Sequence, residues 1–214
     1  MENASFWTLL AEKGGVVMLL LISLSVYTMA IILMKLAQFW RDGLLFGKAE
    51  RAVHALLQGR PPRESVGFLP PRHPVRRVVE YAAGGKRSLN NVVAFGNGIF
   101  RRVDAHTGAL EMIAGAAPLL GLLGTVVGMV KSFSVIGTQG ASVDPSVLAG
   151  GIWEALLTTI AGLAVAIPSI VFSHIFASKA ESARQAAADA LGALPVAKEE
   201  NGKAKKDDDE LLIA

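Results

Sequence analysis

Glu154 is the only formally charged residue between Pro145 and Ser178, in a run that reads PSVLAGGIWEALLTTIAGLAVAIPSIVFSHIFAS. An acid at the centre of a membrane helix costs roughly 2.5–3.5 kcal/mol on insertion scales, so such groups face a partner or a water path rather than lipid. A carboxyl held there can exchange a proton at working pH, or it can anchor two helices by hydrogen bonding. The residues alone leave both readings open. Gly150, Gly151, Ala155, Thr158, Thr159, Gly162 and Ala166 surround it with small and hydroxylated side chains, which suit close helix packing and a narrow polar track. A relay needs a second titratable group, and no other acid lies inside the apolar stretches. The proton-carrying acid is therefore expected on a partner chain.

Other chemistries find little support. Cysteine is absent, which removes disulfides and thiolate metal sites. His54, His73, His106 and His174 are scattered without metal-ligand spacing, and no nucleophile triad or phosphate loop is present. No cofactor, no metal and no covalent catalysis are expected, so the chain does not read as an enzyme. Its basic stripe has no aromatic platform beside it, which argues for anionic lipid headgroups rather than nucleic acid.

The elements that must hold Glu154 are membrane helices. Of the 214 residues, 52% are hydrophobic and the mean hydropathy is +0.44, too apolar for an ordinary water-soluble domain. Gly14–Met34 and Met112–Val130 carry no charge, and at about 1.5 Å per residue each approaches the thickness of a bilayer core. The expected fold is an all-α membrane protein with three transmembrane helices, 16–36, 112–135 and 145–178, the second and third extended into the cytoplasm. A signal peptide fits the first run poorly, because its leader is not basic and no small-x-small cleavage site follows.

Charge sets the orientation. Twelve basic residues lie between Leu36 and Leu110 and six follow Ser178, against one in residues 1–15 and none in Ile136–Asp144. Basic residues mark the cytoplasmic side. The expected layout is a periplasmic N-terminus (1–15), a basic cytoplasmic helical segment (37–111), a periplasmic loop (136–144), a cytoplasmic helix (179–195) and a disordered tail (196–214). Lys131 is the exception near the outer end of the second span, where its stem can snorkel to the interface.

Within the basic segment Arg41–Gln58 reads as a helix, and Gly59–Pro74, with five prolines, as a loop. From Leu89 an apolar stripe runs through Val92, Val93, Gly96, Ile99, Phe100, Val103 and Leu110 with no breaker before the second span. One continuous helix from about Ser88 is expected. Asp144-Pro145 reads as the start of the third helix, placing Glu154 about 13 Å along it. Ala180, Ala183, Ala187, Ala190, Leu191 and Leu194 extend an apolar face that Gly192 and Pro195 end.

Two strings carry a resemblance. The second span holds APLLGLLGTVVGM, in which Gly124 and Gly128 form a GxxxG pair, Gly121 and Thr125 a second small pair, and Pro118 loosens the first turns. The third holds GIWEALLTTIAGLAVAIP from Gly151 to Pro168. Together they resemble the MotA/TolQ/ExbB proton-channel family, and within it the ExbB branch. The third-span pattern falls on Gly151, Ile152, Glu154, Ala155, Leu156, Thr159, Gly162, Leu163, Ala166, Ile167 and Pro168. Trp153 and Thr158 depart from the family's small residues.

The resemblance implies that Glu154, Thr125 and Thr159 belong to a proton pathway. It implies a pentamer whose second and third helices enclose a pore holding an ExbD-like single-span partner. Proton flow would then be passed to a TonB-like protein to drive transport across the outer membrane. Gly121, Gly124, Gly128, Gly151, Gly162, Pro118 and Pro168 read as packing positions. On composition alone, Thr125 and Thr159 are as well explained by bonds to their own helix carbonyls. A TolQ-like envelope-maintenance subunit and a passive membrane scaffold are the alternatives. A flagellar-type stator fits less well, since that branch usually has four spans.

Overall fold

In a computed structural model the chain is described over residues 15–44, 49–85, 88–139 and 145–194. Seven helices occur among these residues: α1 Gly15–Asp42, α2 Ala49–Leu57, α3 Pro62–Val66, α4 Pro74–Ala83, α5 Leu89–Asp104, α6 Thr107–Gln139 and α7 Pro145–Gly192. No strand occurs among them. Three stretches are long and apolar enough to cross a membrane: Gly15–Asp42, Leu89–Ser134 and Leu148–Gly192. The N-terminal leader, Asp144 at the expected helix start, Pro195 and the C-terminal tail lie outside the described residues.

The chain divides into two compact units, Met1–Leu33 with His106–His174, and Met34–Ala105 with Ile175–Ala214. In the first, large apolar side chains point outward from a single copy. Leu119, Leu122, Val126 and Val130 on α6 and Trp153, Leu156, Ile160 and Ile167 on α7 are all exposed. So much exposed apolar surface is stable only against lipid or another chain. The fold is that of an all-α, multi-pass membrane protein.

The second unit has an ordinary core. Val75, Val78, Val79 and Ala82 of α4 and Val92, Ile99, Phe100 and Val103 of α5 are buried, as are Ala180, Ala183, Ala187 and Ala190 of α7. Phe39 and Phe176 meet with ring centroids 5.0 Å apart. Arg184 pairs with Asp104 and lies over the Phe100 ring.

Three local expectations change. Arg41–Gln58 is not one helix, because α1 ends at Asp42 and Gly43 takes φ +74. A Cβ at Gly43 would lie 2.8 Å from Pro70 Cγ, so only glycine meets both the left-handed backbone and the close approach. The proline-rich loop contains α3, started by Pro61 at its N-cap and Pro62 in its first turn. Proline is well suited there, because the N–H it lacks would have no partner.

The third change is that the helix expected to run from Ser88 through the second span is interrupted. Ala105 is extended and His106 has φ +67, separating α5 from α6. The fully buried Lys35 donates to the Val103 carbonyl in the last turn of α5. A cation there meets the negative end of the helix dipole and an acceptor that would otherwise lack a partner. Val93, assigned to the apolar stripe, is 43% exposed instead.

Candidate functional site

The first unit contains a seam of small residues between α6 and α7. An added Cβ shows which atoms would be met at each glycine. At Gly162 it would meet the Ala117 carbonyl and the Gly121 backbone; at Gly121, the Thr158 carbonyl and Thr159 Cα. At Gly124 it would meet the Thr158 side chain, at Gly128 Ala155, and at Gly151 Ser132. The order of these pairs makes the helices antiparallel. On α6 the positions 117, 121, 124, 128 and 132 are spaced by four, three, four and four, the spacing of a narrow helix–helix seam. Close backbone approach with small side chains is how membrane helices associate without a hydrophobic drive between them.

Thr158 lies at the centre of the seam. It is buried, and its Oγ1 donates to either the Ala155 carbonyl at 2.7 Å or the Gly121 carbonyl at 3.2 Å. Thr159 Oγ1 reaches the same Gly121 carbonyl at 3.3 Å. The hydroxyls thus tie α7 to an α6 carbonyl across the seam. Ser132 Oγ bonds back to Gly128 at 3.0 Å. Pro118 and Pro168 lie inside α6 and α7. Pro118 sits three turns in rather than in the first turns, and each proline leaves a carbonyl four residues earlier without its usual helical donor.

Glu154 opens into a cleft of about 260 Å³ beside this seam. Val16 and Val17 of α1, Val127 of α6 and Thr158 of α7 form part of its wall, and Lys131 lines it too. Glu154 is half-buried. Its cleft neighbours therefore include Gly124, Gly128 and Thr158 but neither Thr125 nor Thr159. Thr125 is on another face of α6, donating to its own Leu122 carbonyl at 2.7 Å beside an open apolar groove with Met129 and Phe133. Within one copy, then, the three pathway candidates do not converge.

Thr158, Ser132 and Lys131 are the residues that motif matching passed over. The sequence marks Thr158 as part of the small, hydroxylated surround of Glu154 and as a departure from a small residue, and Lys131 as an exception near the outer end of the second span. Among the described residues no group of three metal-binding side chains comes together.

An antiparallel small-residue seam beside a cleft lined by one acid, in a chain with three helices long and apolar enough to cross a membrane, defines the class: a multi-pass, all-α membrane protein. Residues 96–188 match the MotA/TolQ/ExbB proton channel family. The chain is similar to the biopolymer transport protein ExbB-like 1 of Synechocystis, 33% identical over 184 residues covering 78% of this chain and 68% of that one. It is 41% identical over 93 residues to the biopolymer transport protein ExbB of Salmonella typhimurium, covering 44% of this chain and 36% of the relative. With the ExbB of Pseudomonas putida it shares 43% identity over 77 residues, or 36% and 23% of the two chains. The match thus spans about two thirds of the first relative and about a third or less of the other two. The chain belongs to the MotA/TolQ/ExbB proton channel family, and these relatives carry the names ExbB or ExbB-like.

Proposed function

We propose that this chain is the ExbB-like subunit of an inner-membrane motor that couples the proton gradient to TonB-dependent transport across the outer membrane. The observation that carries the proposal is Glu154 lining a cleft next to a tightly packed glycine seam. A rigid α6–α7 pair fixes where the carboxyl sits, and the cleft gives it a path other than lipid.

In this reading Glu154, Thr125 and Thr159 act in an assembled ring, a pentamer whose α6 and α7 surround an ExbD-like helix bearing the second acid. Thr125, set apart from Glu154 within one copy, would meet the pathway from a neighbouring copy or from that helix. The N-terminus is periplasmic and the basic segment, with the end of α7, is cytoplasmic. Each proton that crosses yields roughly 2.3 kcal/mol per 100 mV, so several could displace a helix bundle.

The test is complementation. Introduced with its partners into strains lacking either system, the gene restores energised iron-chelate uptake, and Glu154→Gln abolishes it while assembly persists. Rescue of envelope integrity alone would assign the chain to the TolQ-like role. Full uptake by Glu154→Gln would reduce it to a scaffold.

A further inference from the structure

We infer that the end of α1 and the turn after α3 form a binding face for anionic phospholipid headgroups, with Arg41 and Arg72 holding phosphate and Trp40 and Phe68 seated at the lipid interface. The inference requires only that α1 crosses the membrane, and it is independent of the proton role of Glu154. In the orientation proposed above, the leaflet concerned is the cytoplasmic one.

The helix from Val16 to Leu36 is long enough to cross a hydrocarbon core of about 30 Å. Trp40 lies four residues further on, about 6 Å beyond that core, at the level where tryptophan settles among headgroups. It is 70% exposed, so the indole is not part of this chain's own core.

The neighbouring turn presents a second ring. Gly43, whose N–H donates to the Trp40 carbonyl at 3.2 Å, packs against Pro70 and His73 and so fixes that turn at the end of α1. Within the turn Val66 and Leu69 are buried, and Arg76 Nη1 donates to the Gly67 and Leu69 carbonyls at 3.3 Å and 2.7 Å. Phe68 lies between those two anchored residues and is exposed. An ordered turn that holds a phenyl ring outside the core suits an apolar surface beyond the chain.

Charge selects the occupant. Arg41 and Arg72 are exposed, and with Arg77 they lie close enough to Asp42 to act on its charge. Three positive charges against one negative leave an excess of positive charge at headgroup depth. The planar fork of arginine matches phosphate oxygens, and each cation near the surface favours anionic over neutral lipid. An acidic protein segment would match the charge alone, whereas a bilayer also receives the two aromatic rings.

The full chain in phosphatidylcholine bilayers carrying a minor fraction of brominated lipid provides the test. Trp40 fluorescence, assigned by its loss in Trp40→Phe, is followed with the bromine on phosphatidylglycerol or on phosphatidylcholine. In the parent, brominated phosphatidylglycerol quenches Trp40 more strongly. The relative association constant for the anionic lipid falls roughly fivefold in Arg41→Gln or Arg72→Gln, and about twenty-fivefold when both are changed. Raising the salt concentration weakens the parent's preference, a check that needs no substitution. Equal quenching by the two lipids in the parent overturns the inference, as does a preference that survives loss of both arginines. A Trp40 that neither lipid quenches is covered by protein instead, which overturns it too.

Discussion

Gly162→Ala measures how tightly the seam is closed. Its new methyl carbon would lie 2.6 Å from the Ala117 carbonyl oxygen, 3.1 Å from Gly121 Cα and 3.3 Å from Gly121 N. All three are backbone atoms, so no rotamer change relieves the contact. Restoring ordinary van der Waals separation requires α6 and α7 to part by roughly 0.8 Å. The Thr159 bond to Gly121, now 3.3 Å, then stretches to about 4 Å and is lost, while Thr158 keeps its 2.7 Å bond to Ala155.

Overpacking costs about 1–3 kcal/mol and each lost hydrogen bond about 0.5–1.5 kcal/mol, against about 1 kcal/mol gained in helix propensity. With one bond lost, the net expectation is a loss of about 0.5–3.5 kcal/mol. Thermal melting of the purified protein in nanodiscs reads it, with Gly98→Ala as the control. Gly98 lies mid-helix in α5 with nothing near its Cβ position, and there alanine stabilises by about 0.5–1 kcal/mol. If Gly162→Ala melts at or above the parent while Gly98→Ala rises as expected, the seam is not packed as described.

Three further outcomes concern the second unit. His73 is buried with Nδ1 unpartnered, and burial lowers its pKa from 6.5 to about 4. Its folded value lies below the unfolded one, so the unfolded chain binds the extra proton first. Stability present above about pH 6.5 is lost as pH falls toward about 4, by up to about 3 kcal/mol; His73→Gln flattens that slope in a pH series of melting curves. Gly43→Ala lowers the melting temperature by the equivalent of about 1–3 kcal/mol, since φ +74 and Pro70 both oppose a side chain. Lys35→Met keeps the bulk but leaves the Val103 carbonyl without its donor, costing about 1–3 kcal/mol; hydrogen exchange is then expected to speed up first at the end of α5.

Much of this architecture was legible in the sequence because long uncharged runs admit few alternatives in a bilayer. The apolar faces of α5 and of the α7 extension were readable from period alone, apart from Val93. Turns were harder. Gly43 follows Arg41-Asp42 as a helix-ending glycine should, a local signal that the helical pattern on both sides obscured. The break at His106 has no proline beside it, and its nearest glycine, Gly108, lies two residues on in the first turn of α6. Lys35, about seventy residues earlier, caps the end of α5 there, and such long-range capping leaves no local trace.

The site was legible as a motif and illegible as a face. Glu154 was conspicuous as a lone acid. In helices apolar on nearly every side, however, spacing does not say which residues turn toward a neighbour. Thr158 and Thr159 are adjacent and chemically identical, yet one is buried at the seam's centre and the other lies at its margin. Lys131 reads as an interfacial cation, and it also lines the cleft that Glu154 lines.

Proton flux decides the matter most directly. The complex with the proposed ExbD-like partner would be reconstituted in proteoliposomes, a membrane potential imposed, and internal acidification followed. The parent conducts protons, and Glu154→Gln, assembled to the same native mass, does not. Equal flux from the two would show that the carboxyl takes no part in the pathway.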